Sequence, residues 1–326
     1  MRLSHSRAVL LMVLITLMWS TAGVVTRHLE AARSFEVTFW RSAFNALALT
    51  LGLLVLRGPR LWRDIASGGR ALWASSLCWA VMYTNFMLAI TLTSVATVLI
   101  TMSIAPLITA LFSKLFLRHR LPRRTWVAIA AAGVGIGWMF GQQAFAGGGS
   151  MTGALVALGV PIAGATNWTL LQYLHQRHAR QAPGDRESGQ TAEAAPDMMP
   201  AVLLGALISA VVTLPPALPL SATVHDLSLL AGLGVFQLAI PCLLVVALTR
   251  VLPAPEISLI GLLEVIFGVL LAWVGAGEAP GPTALAGGAL VIGALLINEG
   301  LGFRERRSLL IRHKPESVIR HKPESV

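Results

Sequence analysis

Long apolar runs with almost no charge alternate with short polar segments along this chain. The hydrocarbon core of a bilayer is about 30 Å thick, and an α-helix needs about 20 apolar residues to cross it. Runs of about this length predict ten transmembrane helices, at Ala8–Thr26, Phe35–Leu56, Ala71–Thr91, Val95–Leu115, Thr125–Gly141, Met151–Tyr173, Pro200–Leu220, Leu227–Thr249, Pro255–Ala276 and Pro282–Gly300. Because the runs are continuously apolar and do not alternate with polar residues, they do not indicate a membrane β-barrel.

The composition agrees with this pattern. Of the 326 residues, 55% are hydrophobic and only 12% are charged, whereas soluble chains carry about 25% charged residues. The two cysteines, Cys78 and Cys242, lie inside apolar runs. Neither a disulfide framework nor a zinc site is therefore expected. The predicted fold class is an all-α polytopic membrane protein.

Three prolines lie within predicted spans, at Pro106, Pro161 and Pro241. A membrane helix tolerates proline when neighbouring groups satisfy the carbonyl that loses its hydrogen bond. The sequence therefore predicts kinks, and not breaks, at these three positions.

The basic residues predict the orientation of the chain. If the spans alternate in direction, 22 of the 25 Lys and Arg residues lie on one side, only Arg27 and Arg33 lie on the other, and Arg41 lies within a span. Basic loops face the cytoplasm, so both termini are expected there. The first run follows Arg2 and Arg7, as a signal peptide would, but its length favours a retained helix. Basic residues in short loops do not form the continuous face of a nucleic-acid binder.

Two polar segments lie in the second half of the chain. Residues 175–199 form the longest polar loop, and their composition predicts a flexible cytoplasmic linker. Residues 304–326 form a basic cytoplasmic tail, in which the octamer Ile311–Val318 recurs unchanged as Ile319–Val326. This duplicated octamer is excluded from the fold prediction.

An internal repeat is visible when the chain is shifted on itself by 158 residues. The shift aligns Pro106 with Glu264, Arg120 with Glu278, Pro122 with Pro280 and Thr125 with Thr283. Matching spans 4–5 with 9–10 predicts two five-helix units, residues 1–145 and 146–303. A unit with an odd number of helices places its second copy upside down in the membrane, as in many transporters. Chance alignment of Gly- and Ala-rich helices is the alternative.

Several short motifs occur in the order and spacing of a known family. They are Met18–Ala22 (MWSTA), Phe39–Ala43 (FWRSA), Ser94–Ala96 (SVA), Pro106, Leu262–Val265 (LLEV) and Gly277–Pro280 (GEAP). In this arrangement the chain resembles the EamA-type branch of the drug/metabolite transporter superfamily up to about Leu301. It departs from the family at His119 and Arg120, where a Gly-Glu pair often follows the fourth helix.

The resemblance implies ten helices in two inverted repeats around a central cavity. It also implies export of small metabolites from the cytoplasm across the bacterial inner membrane. Within the family, the likeness is greatest to exporters of aromatic and other neutral amino acids.

Two charged residues within spans are candidates for function. A carboxylate at the bilayer centre costs about 2.5–3.5 kcal/mol on insertion scales, so Glu264 is expected to be paired, protonated or functional. We consider it a candidate for proton coupling, and the alternative is a polar contact that locks two helices together. Arg41 is a candidate counter-ion and a candidate ligand for a substrate carboxylate. Its position six residues into its span also favours a snorkelling anchor.

Aromatic and amide side chains well inside their segments predict a solute pocket. An apolar wall with a few amide and hydroxyl groups is the usual make-up of such a site. Together with Arg41, the candidate substrate-binding residues are Trp19, Tyr83, Asn85, Asn167, Trp168 and Gln237. For each of them taken singly, helix packing is the alternative.

The sequence lacks the motifs of other membrane-protein classes. No zinc-protease motif, paired intramembrane aspartates or phosphate-binding glycine loop occurs, so neither an enzyme nor a cofactor or metal is expected. No ring of charged residues or carbonyl filter indicates a channel.

The predicted function is a secondary transporter that exports small metabolites, aromatic and other neutral amino acids above all, by alternating access. Export of other metabolites or hydrophobic drugs, or a small-solute channel, is the alternative. The expected partners are a small-molecule substrate and the lipid bilayer, with no nucleic acid. A second subunit is not required, because the two units already form an internal pseudo-dimer.

Overall fold

The computed structural model describes residues 4–117, 150–187, 197–282 and 285–290, with separate residues between 123 and 138 and between 292 and 301. The secondary structure of these residues is helical, with turns and short connections between the helices, and no strand occurs among them. The helices are α1 (His5–Thr26), α2 (Ser34–Arg57), α3 (Arg60–Ala66), α4 (Arg70–Leu92), α5 (Val95–Met102), α6 (Ala105–Leu117), α7 (Ser150–Glu187), α8 (Met199–Ala217), α9 (Val224–Gly232), α10 (Ile240–Leu248), α11 (Ala254–Ile260) and α12 (Leu263–Ala276). A π-helical segment, Leu233–Ala239, joins α9 to α10.

Eight segments of the described chain are long and apolar enough to cross a membrane. Five of them lie in the single helices α1, α2, α4, α7 and α8. The other three are composite, and they are Val95–Leu117, Val224–Leu248 and Ala254–Ala276. The architecture is that of a polytopic helical membrane protein. The predicted fifth and tenth spans lie largely outside the described residues, so the count of ten stays a prediction.

Local sequence explains where several helices begin. The hydroxyls of Ser4 and Ser94 accept hydrogen bonds from the first turns of α1 and α5. At the start of α9, Thr223 and Asp226 form a reciprocal capping box. Such caps satisfy backbone N–H groups that have no partner within the helix.

Helix α7 differs from the predicted linker. It has 38 residues and continues to Glu187, well past the predicted start of the loop at His175. Residues 175–182 are rich in Gln, Arg and Ala, whose helix propensity supports continuation beyond the apolar segment. Residues 188–196 of the predicted linker, and the predicted tail 304–326, lie outside the described residues.

The structure corrects the prediction at Pro106, where the helix breaks completely. Helix α5 ends at Met102, a turn follows at Ser103–Ile104, and α6 begins at Ala105. Proline lacks an N–H and its ring collides with the carbonyl four residues earlier, so the helix cannot continue through this position unchanged. The Ser103 hydroxyl donates to the Ile100 carbonyl at 2.6 Å, which satisfies a carbonyl next to the break.

The other two prolines have smaller effects. Pro161 lies inside the continuous helix α7. Pro241 lies in the first turn of α10, directly after the wider π-helical segment. A π-helical turn disturbs the regular hydrogen-bond ladder and often occurs at functional sites.

A second break occurs at Gly261–Leu262, between α11 and α12. It was not predicted, because no proline marks it. The break lies 158 residues after the turn at Ser103–Ile104, which is the shift that aligns the two halves of the sequence.

Carboxylates hold the helix ends together at the end of the molecule that carries Arg27, hereafter the Arg27 end. Glu36 accepts hydrogen bonds from the backbone of Ser221 and Ala222, each at 2.7 Å, and from the Ser221 hydroxyl at 2.8 Å. Asp226 accepts from the backbone N–H groups of residues 30, 31 and 32 at 2.8–3.0 Å. The loop between α1 and α2 is thereby fixed to the loop between α8 and α9.

Glu278 joins three further segments at the same end. Gly277 adopts a left-handed conformation, with φ at 67°, and ends α12. The next side chain, Glu278, pairs with Arg27 at 2.6 Å and accepts from the Val95 N–H at 2.7 Å. Arg27 also donates to the Thr93 carbonyl at 3.0 Å.

Ion pairs also occur at the opposite end, hereafter the Arg57 end. Arg57, at the end of α2, pairs with Asp197, which precedes α8, and lies 3.6 Å from Asp64. His5 and Glu256 lie 2.9 Å apart and connect the first turns of α1 and α11.

Two apolar clusters fill the interior between these ends. One includes Met12, Leu53 and Leu248 near the Arg57 end. The other includes Ala22 and Ile90 near the Arg27 end. Members of both clusters, among them Met12 and Val265, line the cavity described below.

We expect the substitution Asp226→Ala to lower the temperature of unfolding in detergent. It removes the acceptor of three backbone N–H groups, and a hydrogen bond to a charged group contributes about 1.5–3 kcal/mol. The matched control is Glu30→Ala, because the Glu30 side chain is largely exposed. Equal stability of Asp226→Ala and the unchanged protein, measured by thermal unfolding, would contradict this assignment.

Candidate functional site

A cavity of about 140 Å³ lies at the middle of the helical assembly. Its walls come from the two segments that contain a break, α5–α6 and α11–α12. The helices α1, α2, α4, α7 and α10 supply further lining residues. At 1.5 Å per residue, the lining residue Glu264 lies about 15 Å along its segment from Ala254 and about 18 Å from Ala276. The cavity is therefore close to the middle of the segments that can span the membrane.

Arg41 lies in this cavity and does not snorkel to the interface. Its side chain is buried, with 2% exposed. Nη1 donates to the Met87 sulfur at 2.6 Å, and the guanidinium lies 5.4 Å from the centre of the Phe86 ring. Nε has no partner. The interpretation of Arg41 as an interfacial anchor is therefore wrong.

Glu264 lines the same cavity and lies in the first turn of α12, directly after the break. The residue is 9% exposed. No direct ion pair joins Glu264 to Arg41 in the described part of the chain, although their charges interact across the cavity. The N-terminal turn of a helix favours negative charge, so α12 itself stabilises a carboxylate at this depth.

Gln237 projects into the cavity from the π-helical segment. Its Nε2 donates to the Trp19 carbonyl at 3.1 Å, which fixes the direction of the amide. Its Oε1 is buried and has no partner. The amide therefore offers a free acceptor to a molecule in the cavity.

Aromatic side chains form the opposite wall. The ring centres of Trp79 and Tyr83 are 5.5 Å apart, and Trp168 meets Trp79 edge-on at the same distance. The Trp79 indole N–H and the Tyr83 hydroxyl have no partner. Trp79 is not among the residues predicted from the sequence, although its spacing of four residues from Tyr83 places both on one helix face.

Asn85 and Asn167 do not line the cavity. Asn85 Nδ2 donates to the Val156 carbonyl at 3.1 Å, and Asn167 Oδ1 accepts from the Ser75 hydroxyl at 2.6 Å. Each bond joins α4 to α7. Consecutive helical residues are rotated by about 100°, so a polar residue close in sequence to a lining aromatic faces another helix.

The remaining lining residues are mostly apolar or weakly polar and have no sequence signal of their own. Lining residues that the sequence does not predict include Met12, Met82, Phe86, Met102, Ser103, Gly164, Cys242 and Ser258. Only the tertiary contacts reveal their position.

The polar groups of this cavity suit a ligand that has both acceptors and donors. Unpaired donors occur on Arg41, Trp79 and Tyr83, and the Gln237 amide supplies an unpaired acceptor. Glu264 adds a carboxylate. Apolar and aromatic walls with a few such polar groups are the usual composition of a small-molecule site.

A possible metal-ligand cluster lies elsewhere, at the Arg27 end. Among the described residues, Glu30, His225 and Asp226 bring one ligand atom each within 4.8 Å of one another. The oxygens of Asp226 already accept backbone hydrogen bonds. The Asp226 carboxylate therefore serves as a structural cap.

Comparison with known proteins supports a membrane transporter of small solutes. Residues 6–141, fewer than half of the chain, match the EamA-like transporter family. This range corresponds to the first predicted five-helix unit. Among curated proteins, none matches the chain.

The fold itself is similar to solved structures, and 16 chains match. One of them, a crystal structure described simply as that of a protein, has a TM-score of 0.59 and 18% identity. The match covers 93% of this chain and 99% of the other. At this identity the likeness shows the fold alone.

We expect Asn85→Ala to lower the temperature of thermal unfolding, because the substitution removes the hydrogen bond between α4 and α7. Interhelical hydrogen bonds in membrane proteins contribute about 0.6 kcal/mol on average, with a maximum near 1.7 kcal/mol. Thr166→Ala is the control, since that hydroxyl is exposed and bonds only within its own helix. A shift no larger than the control's would show that the Asn85 bond does not stabilise the fold.

Proposed function

We propose that this protein is a secondary transporter that exports small neutral metabolites, aromatic and other neutral amino acids above all, by alternating access. The observation that carries this proposal is the central cavity, where Arg41 and Glu264 lie together within aromatic and apolar walls. A similarity to the EamA-like transporter family over residues 6–141 points to the same class of function.

The two charges indicate the polar part of the substrate. Among the described lining residues, only Arg41 and Glu264 ordinarily carry charge. A guanidinium binds a carboxylate with two parallel hydrogen bonds, and a carboxylate accepts hydrogen bonds from an ammonium group. Because the two residues are opposite in sign and not directly paired, a zwitterion of zero net charge complements both of them.

The walls indicate the rest of the substrate. Trp19, Trp79, Tyr83, Phe86 and Trp168 supply large apolar surfaces. Transfer of an apolar side chain from water to such walls is favourable by about 25 cal/mol per Å². Neutral amino acids with large side chains therefore fit the cavity better than highly polar ones.

Two features favour alternating access over a continuous channel. Buried apolar clusters extend from the cavity lining toward each end of the molecule, and ion pairs connect the helix ends beyond them. The breaks at Ser103–Ile104 and Gly261–Leu262 occupy matching places under the 158-residue shift, which supports two inverted units. Units of this kind rock about a site at their interface.

The charge distribution supports the direction of the chain in the membrane. The described Lys and Arg residues are concentrated at the Arg57 end, whereas Arg27 and Arg33 lie at the other. We therefore propose that the Arg57 end faces the cytoplasm of a bacterial inner membrane.

The proposal is tested by uptake of labelled Trp, Phe, Met and Thr into liposomes that contain the purified protein. We expect saturable uptake that unlabelled amino acids inhibit. Arg41→Gln should raise the KM at least about tenfold, because a hydrogen bond to a charged group contributes about 1.5–3 kcal/mol. Protein-free liposomes are the control. Uptake of no amino acid would contradict the substrate class, and flux that does not saturate would favour a channel.

Glu264 is the residue that we propose carries the proton, if export is coupled to a pH gradient. Glu264→Gln keeps the size of the side chain and removes its titration. It should abolish the dependence of uptake on the gradient while substrate exchange continues with a raised KM, because the substrate's ammonium group loses its charged partner. Glu256→Gln, at the Arg57 end, is the matched control. Persistence of full gradient dependence in Glu264→Gln would exclude this role.

A further inference from the structure

One wall of the cavity lacks a side chain at a position where the structure leaves room for one. Gly164 and Trp168 both line the cavity from α7. They are four residues apart, so they lie on the same helix face about one turn from each other. The missing side chain at Gly164 leaves a space directly beside the Trp168 indole.

The size of this space follows from the geometry around Gly164. A Cβ atom built there would lie 3.5 Å from the Met82 sulfur and 3.6 Å from Trp168 Nε1. Both distances are ordinary van der Waals contacts. A carbon atom therefore fits between Met82 and Trp168, and an atom of a bound molecule can occupy the place that a side chain would otherwise take.

Helix packing does not explain this glycine. At Gly153, on the same helix, a Cβ would lie 2.9 Å from atoms of the Thr93 side chain. At Gly159 it would overlap the Asn85 amide. A side chain at either of these two glycines would collide with residues at or just after α4, whereas Gly164 meets no such obstacle.

The chemistry of the space suits a flat apolar ring. The Met82 sulfur and the indole nitrogen of Trp168 are its nearest neighbours, and the apolar residues Val160 and Pro161 line the cavity from the same helix. Sulfur contacts with aromatic rings and contacts between two aromatic rings are both favourable. The charged lining residues, Arg41 and Glu264, belong to other helices and leave this wall without charge.

The volume of the cavity makes this space important. At about 140 Å³, the cavity is close to the ~150 Å³ of an apolar protein cavity that holds one benzene molecule. A substrate with an aromatic side chain therefore has little room to spare. Loss of the space beside Gly164 would exclude a large ring before it excluded a small side chain.

We infer that Gly164, Met82 and Trp168 form the subsite for the substrate's side chain, and that Gly164 sets the upper size limit of the side chain that is accepted. This inference rests on the proposed function as an amino-acid carrier. It adds the position of the aromatic ring and a residue that determines specificity.

The test is Gly164→Ala, with uptake of labelled Trp, Phe, Thr and Ala into liposomes and kcat/KM as the readout. One methylene in an apolar pocket changes specificity by about 10–200-fold. We expect kcat/KM to fall at least about tenfold for Trp and Phe, and to change much less for Thr and Ala. Met82→Ala, which widens the same space, should change the ranking in the opposite direction, in favour of Trp.

Gly232→Ala is the matched control. Gly232 is also helical, has nothing within 4 Å of a built Cβ and does not line the cavity. We expect both alanine variants to unfold at the same or a higher temperature than the unchanged protein, because alanine favours a helix over glycine.

Each other outcome overturns the inference in a recognisable way. Equal loss for all four amino acids, or no change for any, would show that Gly164 does not select by size. A destabilised Gly164→Ala variant beside a stable Gly232→Ala control would show that the space at Gly164 is not free. If the unchanged protein transports no amino acid, the proposed function itself fails and the subsite fails with it.

Discussion

The helices of this protein are arranged around the cost of placing two opposite charges in the middle of an apolar bilayer. A charged side chain at that depth costs about 2.5–3.5 kcal/mol on insertion scales, and more by some calculations. Arg41 is almost completely enclosed by protein, against the Met87 sulfur and the Phe86 ring. Glu264 lies at the start of a helix, where backbone N–H groups favour a carboxylate. The two groups are separate, and each retains capacity for a ligand.

The same constraint explains why the backbone breaks where it does. Non-helical backbone at membrane depth is tolerated only where it is buried in protein or lines a cavity. The turns at Ser103–Ile104 and Gly261–Leu262 both contribute lining residues to the central cavity. Their matching positions under the 158-residue shift support the proposed duplicated unit, with non-helical backbone at the central cavity.

Charge-assisted contacts connect the helices at the two ends of the molecule, whereas the interior is mostly apolar. Carboxylates bind backbone N–H groups and Arg27 at one end, and Arg57 pairs with acids at the other. Rocking of the two proposed units would have to exchange such contacts at one end for those at the other. Charge-assisted bonds that face water are suited to this, because water replaces them when they open.

Sequence alone determined the membrane class, the approximate spans and the central position of Glu264. It also predicted that Trp19, Tyr83, Trp168 and Gln237 line one pocket. Length and hydrophobicity along one helix carry that information. Only the tertiary structure decided that Arg41 points inward, that Asn85 and Asn167 bind neighbouring helices, and that Trp79 and Gly164 line the cavity. The physical reason is that the rotation of one helix against its neighbours selects which face meets the cavity, and apolar spans carry almost no periodicity from which that rotation can be predicted.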